Sequence, residues 1–181
     1  MTSPRALKVI FAGDGEVGKT SLIRRHCEGR FEVSRIETIG VDFQSKMVML
    51  ATGPVKLSIW DMAGQERFQV VRSGLYRGSR CAALVFDATK PESLANLTRW
   101  RDEILAVVPS QRFAVVANKV DLLPRNGRGP QPSWGGPPKI PQALDYADSV
   151  GADYLETSAL TGEGVLKLFE TMARLARGTL G

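Results

Sequence analysis

An eight-residue stretch near the amino terminus constrains the fold of this chain more than any other feature. Positions 13–20 read G-D-G-E-V-G-K-T, which matches the spacing G-x-x-x-x-G-K-[ST]. The stretch lies between an apolar run at 7–11 and an amphipathic segment that begins near Thr20. In a strand, loop and helix of this kind, the loop N–H groups surround phosphates beside the positive end of the helix dipole. The motif therefore predicts a phosphate-binding loop.

Several residues of this loop have an expected role. Lys19 would place a positive charge on the β and γ phosphates of a nucleotide, and the Thr20 hydroxyl would bind a magnesium ion. Glu16 is expected to face solvent. The residues predicted to hold the phosphates are Gly13, Asp14, Gly15, Glu16, Val17, Gly18, Lys19, Thr20 and Ser21. Because ATPases and kinases also carry this motif, it does not by itself identify the base.

The sequence N-K-V-D at positions 118–121 indicates which base is bound. The Asp121 carboxylate can accept two parallel hydrogen bonds, and guanine presents N1–H and N2–H₂ side by side. Adenine would leave the same carboxylate buried and unpaired, which disfavours ATP strongly. The stem of Lys119 can lie along the ring, and Asn118 completes the motif. These residues predict guanine recognition.

A third segment, E-T-S-A at positions 156–159, follows a predicted strand at 153–155. Ligands of open α/β sheets bind at the carboxyl ends of the strands, so this segment is expected at the same edge as the phosphate loop. The Ala159 N–H is the candidate donor to guanine O6, and Ser158 and Leu160 are expected beside it.

Apolar runs and amphipathic segments alternate along the chain, which predicts an α/β fold of the P-loop NTPase type. We expect a six-stranded, mostly parallel sheet with one antiparallel edge strand, formed by a hairpin that turns at 52–54, and helices on both faces. The predicted strands lie at 7–12, 41–50, 55–60, 81–86, 113–117 and 153–155. The predicted helices lie at 19–28, 91–106, 142–150 and 165–177.

Composition limits the other possibilities. The 181 residues, 43% of them hydrophobic, suffice for a single domain over positions 1–181. The formal net charge of +5 is spread along the chain, so no nucleic-acid partner is expected. Cys27 and Cys81 lack a paired His or Cys, which indicates reduced thiols and argues against zinc. Without a long apolar stretch or a signal peptide, we expect a cytoplasmic protein with no direct membrane insertion.

The segment 124–141 holds six of the ten prolines, four glycines and Trp134. It is expected to contain neither a helix nor a central strand. It lengthens the connection between the guanine-reading motif and the next helix. Two interpretations stay open, a mobile surface insertion or a partner-docking loop anchored by Trp134.

Four further segments carry a family resemblance. They read T-I-G-V-D-F at 38–43, K-L-S-I-W at 56–60, D-M-A-G-Q-E-R-F at 61–68 and Y-R-G at 76–78. Together with the three nucleotide-binding segments above, they resemble in order the signatures of small GTPases of the Ras superfamily, and most closely those of the Rab family. The resemblance covers nearly the whole chain.

This resemblance implies roles beyond the motifs. The Gly64 N–H would contact the γ phosphate, and Phe31 would pack against the guanine. The segments 31–40 and 63–73 would form two switches that GTP orders and hydrolysis releases. The implied magnesium ligands are Thr20, Thr38 and Asp61.

The implied reaction is in-line attack of water on the γ phosphorus of GTP. Gln65 would orient the water while Lys19 and magnesium neutralise charge. Without an arginine finger the rate would be on the order of 10⁻⁴ to 10⁻² per second, so a GTPase-activating protein would be needed. The family implies a monomeric switch in membrane or vesicle trafficking, with an exchange factor and effectors at the switches. The apolar candidates for the partner surface are Ile39, Phe43, Trp60 and Leu75.

Two other functions are compatible with the phosphate-loop motif alone. A guanine-nucleotide scaffold that barely hydrolyses GTP would be expected to lack one of the catalytic positions, but all of them are present: Gly15, Thr38, Asp61 and Gln65. An ATP-using enzyme is disfavoured by Asp121. His26 lies one turn from Leu22 and is expected to pack against the fold, not to transfer protons. Tyr76 and Trp100 are likewise expected to be packing residues.

Three positions and the carboxyl-terminal end depart from the Rab pattern. Met62 stands where Rab proteins usually have Thr, Arg35 where an aromatic residue often shields the phosphates, and Leu75 where the hydrophobic triad has Tyr. No tail with prenylated cysteines follows the last predicted helix. Membrane association is therefore expected only through a missing tail or a partner.

Overall fold

A six-stranded sheet forms the centre of the computed structural model, which describes residues 5–32, 40–124 and 140–178. The strands are β1 (Leu7–Ala12), β2 (Val41–Leu50), β3 (Gly53–Met62), β4 (Cys81–Asp87), β5 (Arg112–Asn118) and β6 (Asp153–Glu156). Their order across the sheet is β2-β3-β1-β4-β5-β6. Only the β2–β3 pair of this sheet is antiparallel. The predicted mostly parallel α/β sheet with an antiparallel edge strand is confirmed.

Helices connect the parallel strands. They are α1 (Lys19–Glu28), α2 (Gln69–Leu75), α3 (Pro91–Ala95), α4 (Leu97–Leu105), α5 (Ile140–Ser149) and α6 (Val165–Arg177), and 3₁₀ turns lie at Glu66–Phe68 and Val120–Leu122. None of the helices in these ranges combines the length and the apolar character that crossing a bilayer requires.

Two of the predicted helices differ from the structure in their bounds. The helix expected over 91–106 is interrupted at Asn96, whose side-chain amide donates to Asp14 on the phosphate loop at 2.7 Å. The segment 124–141 was expected to exclude a helix, and this is wrong at its end, because α5 begins at Ile140. Pro141 is compatible with the first turn of a helix, where its missing N–H has no intrahelical partner. The rest of that segment, 125–139 with Trp134, lies outside the described residues.

The two faces of the sheet bury separate hydrophobic cores. Along β1, Val9 and Phe11 point to one face, where they pack with α1 and α6, while Ile10 and Ala12 point to the other, where they pack with α3, α4 and α5. All four residues are fully buried. This burial on both faces explains the continuous apolar run of a central parallel strand.

The edge hairpin turns one residue earlier than predicted. Leu50 pairs with Gly53, so the turn consists of Ala51 and Thr52, and Pro54 already lies in β3 opposite Met49. Gly53 has φ 105°, a conformation that favours glycine and that lets the strand begin directly after the turn.

The outer face of β2 is apolar. Phe43 is 65% exposed and Met49 is 68% exposed, and Met47 lies on the same side. The Phe43 ring stacks on Trp60 of β3, with 5.7 Å between the ring centroids, and the Lys8 ammonium lies 3.8 Å from the centroid of the Trp60 ring. This face of the hairpin is open to solvent.

Candidate functional site

The phosphate loop connects β1 to α1 through unusual backbone conformations. Gly13 has φ 145° and Gly18 has φ 99°. A Cβ added at Gly13 would lie 2.1 Å from the carbonyl oxygen of Val85, and one at Gly18 would lie 2.3 Å from the amide nitrogen of Asn118. Glycine is therefore required at both ends of the loop. At Gly15, a Cβ would meet no protein atom within 4 Å.

Lys19 crosses the interior of this loop. Its ammonium donates to the carbonyl oxygens of Gly13 and Asp14, each at 2.7 Å, and the residue is only 6% exposed. Burial lowers the pKa of Lys19 to about 8, although the carboxylates of Asp61 and Asp14 act in the opposite direction. A phosphate bound in the loop would add negative charge beside this buried ammonium and raise its pKa.

A hydroxyl and a carboxylate lie together beside the lysine. The Thr20 hydroxyl, at the start of α1, donates to the carboxylate of Asp61 near the end of β3, where Asp61 is buried. Such oxygen ligands suit magnesium, which binds proteins through one or two of them and completes its shell with water and substrate phosphates. Among the described residues no group of three or more His, Cys, Asp or Glu side chains could hold a metal. The pair therefore fits a magnesium ion shared with a nucleotide. Thr38 lies outside the described residues.

The backbone that follows β3 packs against the phosphate loop. A Cβ added at Gly64 would lie 2.3 Å from the backbone nitrogen of Gly15 and 2.4 Å from the carbonyl carbon of Asp14. The Ala63 N–H donates to the carbonyl of Gly40, the residue before β2, at 3.0 Å. Gly64 and the half-buried Gln65 thus lie next to the loop that holds Lys19.

The Asp14 side chain points away from the loop interior, toward the helices. Its carboxylate accepts hydrogen bonds from Asn96 at 2.7 Å and from the Trp100 indole at 2.8 Å, and Arg99 lies at 3.4 Å. Trp100 is buried, as expected of a packing residue, and it also anchors the phosphate loop to α4. The sequence carries no signal for these partners, because more than 80 residues separate them from Asp14.

The buried side chain of Asn118 joins three loops. Its amide nitrogen donates to the Val17 carbonyl at 3.0 Å, and its oxygen accepts from the Thr157 hydroxyl at 3.1 Å and from the Ala159 N–H at 3.3 Å. The phosphate loop, the N-K-V-D segment and the E-T-S-A segment therefore meet at one edge of the sheet, as predicted from their places at the carboxyl ends of strands.

The two charged residues of the N-K-V-D motif are held by other side chains. Lys119, at φ 66°, pairs with the buried carboxylate of Asp87 at 2.7 Å. Asp121 accepts a hydrogen bond from the Ser158 hydroxyl at 2.6 Å. Asp87, at the end of β4, was missed by the sequence analysis because it belongs to no recognised motif. These bonds fix the positions of both charged side chains of the motif.

The remaining site residues lie around this edge. Leu160 is 50% exposed, and the carbonyl oxygens of Ala159 and Leu160 both accept hydrogen bonds from Arg25 of α1. Phe31 is partly buried and packs against the core that contains α1 and α6. Met62, where Rab proteins usually have Thr, is fully buried in the opposite core.

Comparison with known proteins identifies the family. A model of the Ras family matches residues 8–177, from β1 to α6. The chain is 41% identical to the Ras-related protein Rab7 of Drosophila melanogaster over 177 residues, which covers 94% of this chain and 80% of that protein. It is 38% identical to the Ras-related protein Rab-4 of Dictyostelium discoideum over 164 residues, covering 90% and 75%. Since these similarities run through all the strands and loops described above, the chain belongs to the Ras family of small GTPases, as a Rab-like enzyme that hydrolyses GTP to GDP.

Proposed function

We propose that this GTPase is a magnesium-dependent timer whose two switch segments report the bound nucleotide to partner proteins. The observation that carries the proposal is the meeting of four elements around one loop: the Lys19 ammonium, the Thr20–Asp61 pair, the Gly64 backbone and the bridging amide of Asn118. Positions 1–181 act as one GTPase domain in this proposal.

Each residue around the loop has a defined task. Lys19 and the N–H groups of residues 13–21 bind the phosphates, while Asp121 and the Ala159 N–H read the guanine. The stem of Lys119 and the ring of Phe31 cover the base. Ser158 holds Asp121 in place, and Leu160 borders the base pocket.

Hydrolysis requires that water be positioned in line with the bond to the leaving GDP. Gln65 orients the water, and the Gly64 N–H donates to the γ phosphate. Thr20, Thr38 and Asp61 would hold a magnesium ion, which would neutralise charge on the phosphates. The intrinsic rate is on the order of 10⁻⁴ to 10⁻² per second, so a GTPase-activating protein sets the lifetime of the GTP state.

Partners read an apolar surface beside the first switch. The stacked pair of Phe43 and Trp60 offers this surface on the open face of the hairpin. Leu75 of α2 is partly buried and follows the second switch in the sequence. Ile39 would extend this surface, although it lies outside the described residues. By its likeness to Rab proteins, the protein acts as a monomer in membrane or vesicle trafficking. It is cytoplasmic, and a lipidated tail or a partner recruits it to the membrane.

The test is a single-turnover assay on the purified protein. The protein is loaded with GTP and magnesium, free nucleotide is removed, and the ratio of bound GTP to GDP is followed by chromatography. We expect slow appearance of GDP that stops when magnesium is chelated, and a further slowing in Gln65→Leu without loss of bound GTP.

The alternatives have distinct outcomes in the same assay. Bound GTP that never becomes GDP would indicate a fixed scaffold and would overturn the timer. Equal rates for wild type and Gln65→Leu would overturn the role of Gln65. Competition by ATP at concentrations similar to those of GTP would contradict the assignment of Asp121.

A further inference from the structure

Arg72 is a buried cation on the helix of the second switch. The residue is 2% exposed, although its neighbours Val70 and Val71 on α2 are 87% and 58% exposed. Burial of a charged group is strongly unfavourable unless it is paired and fully hydrogen-bonded, so a guanidinium in this position requires specific partners.

Helix α4 supplies those partners. The Nε and Nη2 groups of Arg72 donate to the two carboxylate oxygens of Glu103 at 3.1 and 3.0 Å, in a bidentate pair. The Tyr76 hydroxyl donates to the same carboxylate at 2.6 Å, and the guanidinium lies over the Trp100 ring at 4.2 Å from its centroid. The guanidinium plane is therefore fixed by a carboxylate at its edge and by an indole at its face.

The third nitrogen of the guanidinium contacts the backbone at 63–65. Its Nη1 group donates to the backbone carbonyl of Ala63 at 3.1 Å and to the backbone carbonyl of Gln65. These two carbonyls lie on either side of Gly64. Arg72 thus connects α4 to the backbone on both sides of the residue that packs against the phosphate loop.

The phosphate loop is anchored to the same helix. The Trp100 indole donates to Asp14 at 2.8 Å while its ring lies against Arg72. The phosphate loop is therefore held against α4 through Trp100. The backbone at 63–65 is held against the same helix through Arg72. A lysine could pair with Glu103, but one ammonium could not reproduce a bidentate pair and two carbonyl contacts together.

We propose that Arg72 is a positioning residue for GTP hydrolysis, which fixes the backbone at 63–65 so that the Gly64 N–H and the Gln65 side chain meet the γ phosphate and the attacking water. This inference rests on the proposed function, because it acts through the roles given there to Gly64 and Gln65. Small displacements of reacting groups slow reactions by up to about 100-fold. Removing the Arg72 contacts should therefore slow hydrolysis far more than it weakens nucleotide binding.

The experiment compares the rate of single-turnover hydrolysis with the rate of GDP dissociation. Arg72→Met combined with Glu103→Leu removes the pair without leaving a buried charge, and Arg72→Lys keeps the charge in case the double variant does not fold. We expect hydrolysis to fall about 10- to 100-fold in both, with GDP dissociation changed less than about threefold. Arg80→Met is the matched control, since Arg80 is an exposed arginine that binds the Ala176 carbonyl of α6.

The outcomes separate the inference from the function on which it rests. Normal hydrolysis in Arg72→Lys and in the double variant, with Gln65→Leu still slow, would overturn the inference and leave the proposed function intact. Equal losses of GDP retention and hydrolysis would assign Arg72 a purely structural role and would also overturn it. If Gln65→Leu hydrolyses GTP at the wild-type rate, the proposed role of Gln65 fails and the inference fails with it.

Discussion

The imidazole ring of His26 lies parallel to the phenyl ring of Phe169, with 3.8 Å between the ring centroids and 5° between the planes. This contact joins α1 to α6, and it agrees with the expectation that His26 packs against the fold. Burial, together with the positive charge of Lys46, lowers the pKa of His26 to about 4. The unfolded chain has a histidine pKa of about 6.5.

The low pKa of His26 makes the stability of the fold depend on pH. Between about pH 6.5 and 4 the unfolded state binds a proton at His26 and the folded state does not, so the free energy of unfolding falls as the pH is lowered through this window. Urea denaturation at several pH values should show a smaller fall in His26→Phe, which keeps an aromatic ring but cannot protonate. The same pH dependence in both proteins would contradict this prediction.

Loss of the Asn118 side chain should destabilise the contact between the phosphate loop and the E-T-S-A segment. In Asn118→Ala the Val17 carbonyl and the Ala159 N–H lose a buried partner. Each unsatisfied buried group costs about 1 to 3 kcal/mol, so we expect unfolding at lower urea and faster GDP release. Ser149→Ala is a suitable control, because the Ser149 hydroxyl donates to the nearby Tyr146 carbonyl on an exposed surface. GDP release at the wild-type rate in Asn118→Ala would argue against the bridging role.

Glycine at position 13 should be irreplaceable even by alanine. A Cβ there would overlap the carbonyl oxygen of Val85 at 2.1 Å, on a backbone with φ 145°. We expect Gly13→Ala to lower the free energy of unfolding by more than about 2 kcal/mol. Gly74→Ala is the matched control, since a Cβ at Gly74 in α2 meets nothing within 4 Å and alanine favours a helix by up to about 1 kcal/mol. Equal stabilities of the two variants, measured in urea, would contradict the steric argument.

Nucleotide binding should take up a proton above about pH 8. Burial lowers the pKa of Lys19 to about 8, so the ammonium loses its proton as the pH rises through that value. Bound phosphates favour the charged form and raise the pKa, so affinity should fall with rising pH, by up to about tenfold per pH unit. Calorimetry of GDP binding in buffers of different ionisation enthalpy should detect proton uptake at pH 8.5 and little at pH 6.5. No uptake at either pH would mean that Lys19 stays charged in the empty loop.

Local patterns predicted most of the fold. The continuous apolar run of β1 and the periodic apolar face of α6 gave bounds that agree with the structure. The helix α2 could not be predicted, because its sequence Q-V-V-R-S-G-L contains β-branched residues and a glycine, which disfavour helices. Its position is set by the tertiary contacts of Arg72, which no local pattern reveals.

The candidate site, like the fold, was predicted from local patterns only in part. The phosphate loop and the N-K-V-D motif are contiguous in sequence, so their residues could be named from spacing alone. The side chains that hold them come from distant parts of the chain: Asn96 lies 82 residues from Asp14, and Ser158 lies 37 residues from Asp121. Only the folded sheet brings these partners together, and no spacing rule connects them.

The alternation along β1, with Val9 and Phe11 in one core and Ile10 and Ala12 in the other, has a consequence for how such a protein can diverge. The same sheet forms one side of both hydrophobic cores. A substitution near α6 can be compensated by its neighbours there while the packing around α4 stays as it was. Mutations can thus accumulate in one core at a time. The nucleotide loops lie at the edge of the sheet, so the unchanged core on the other face continues to support them.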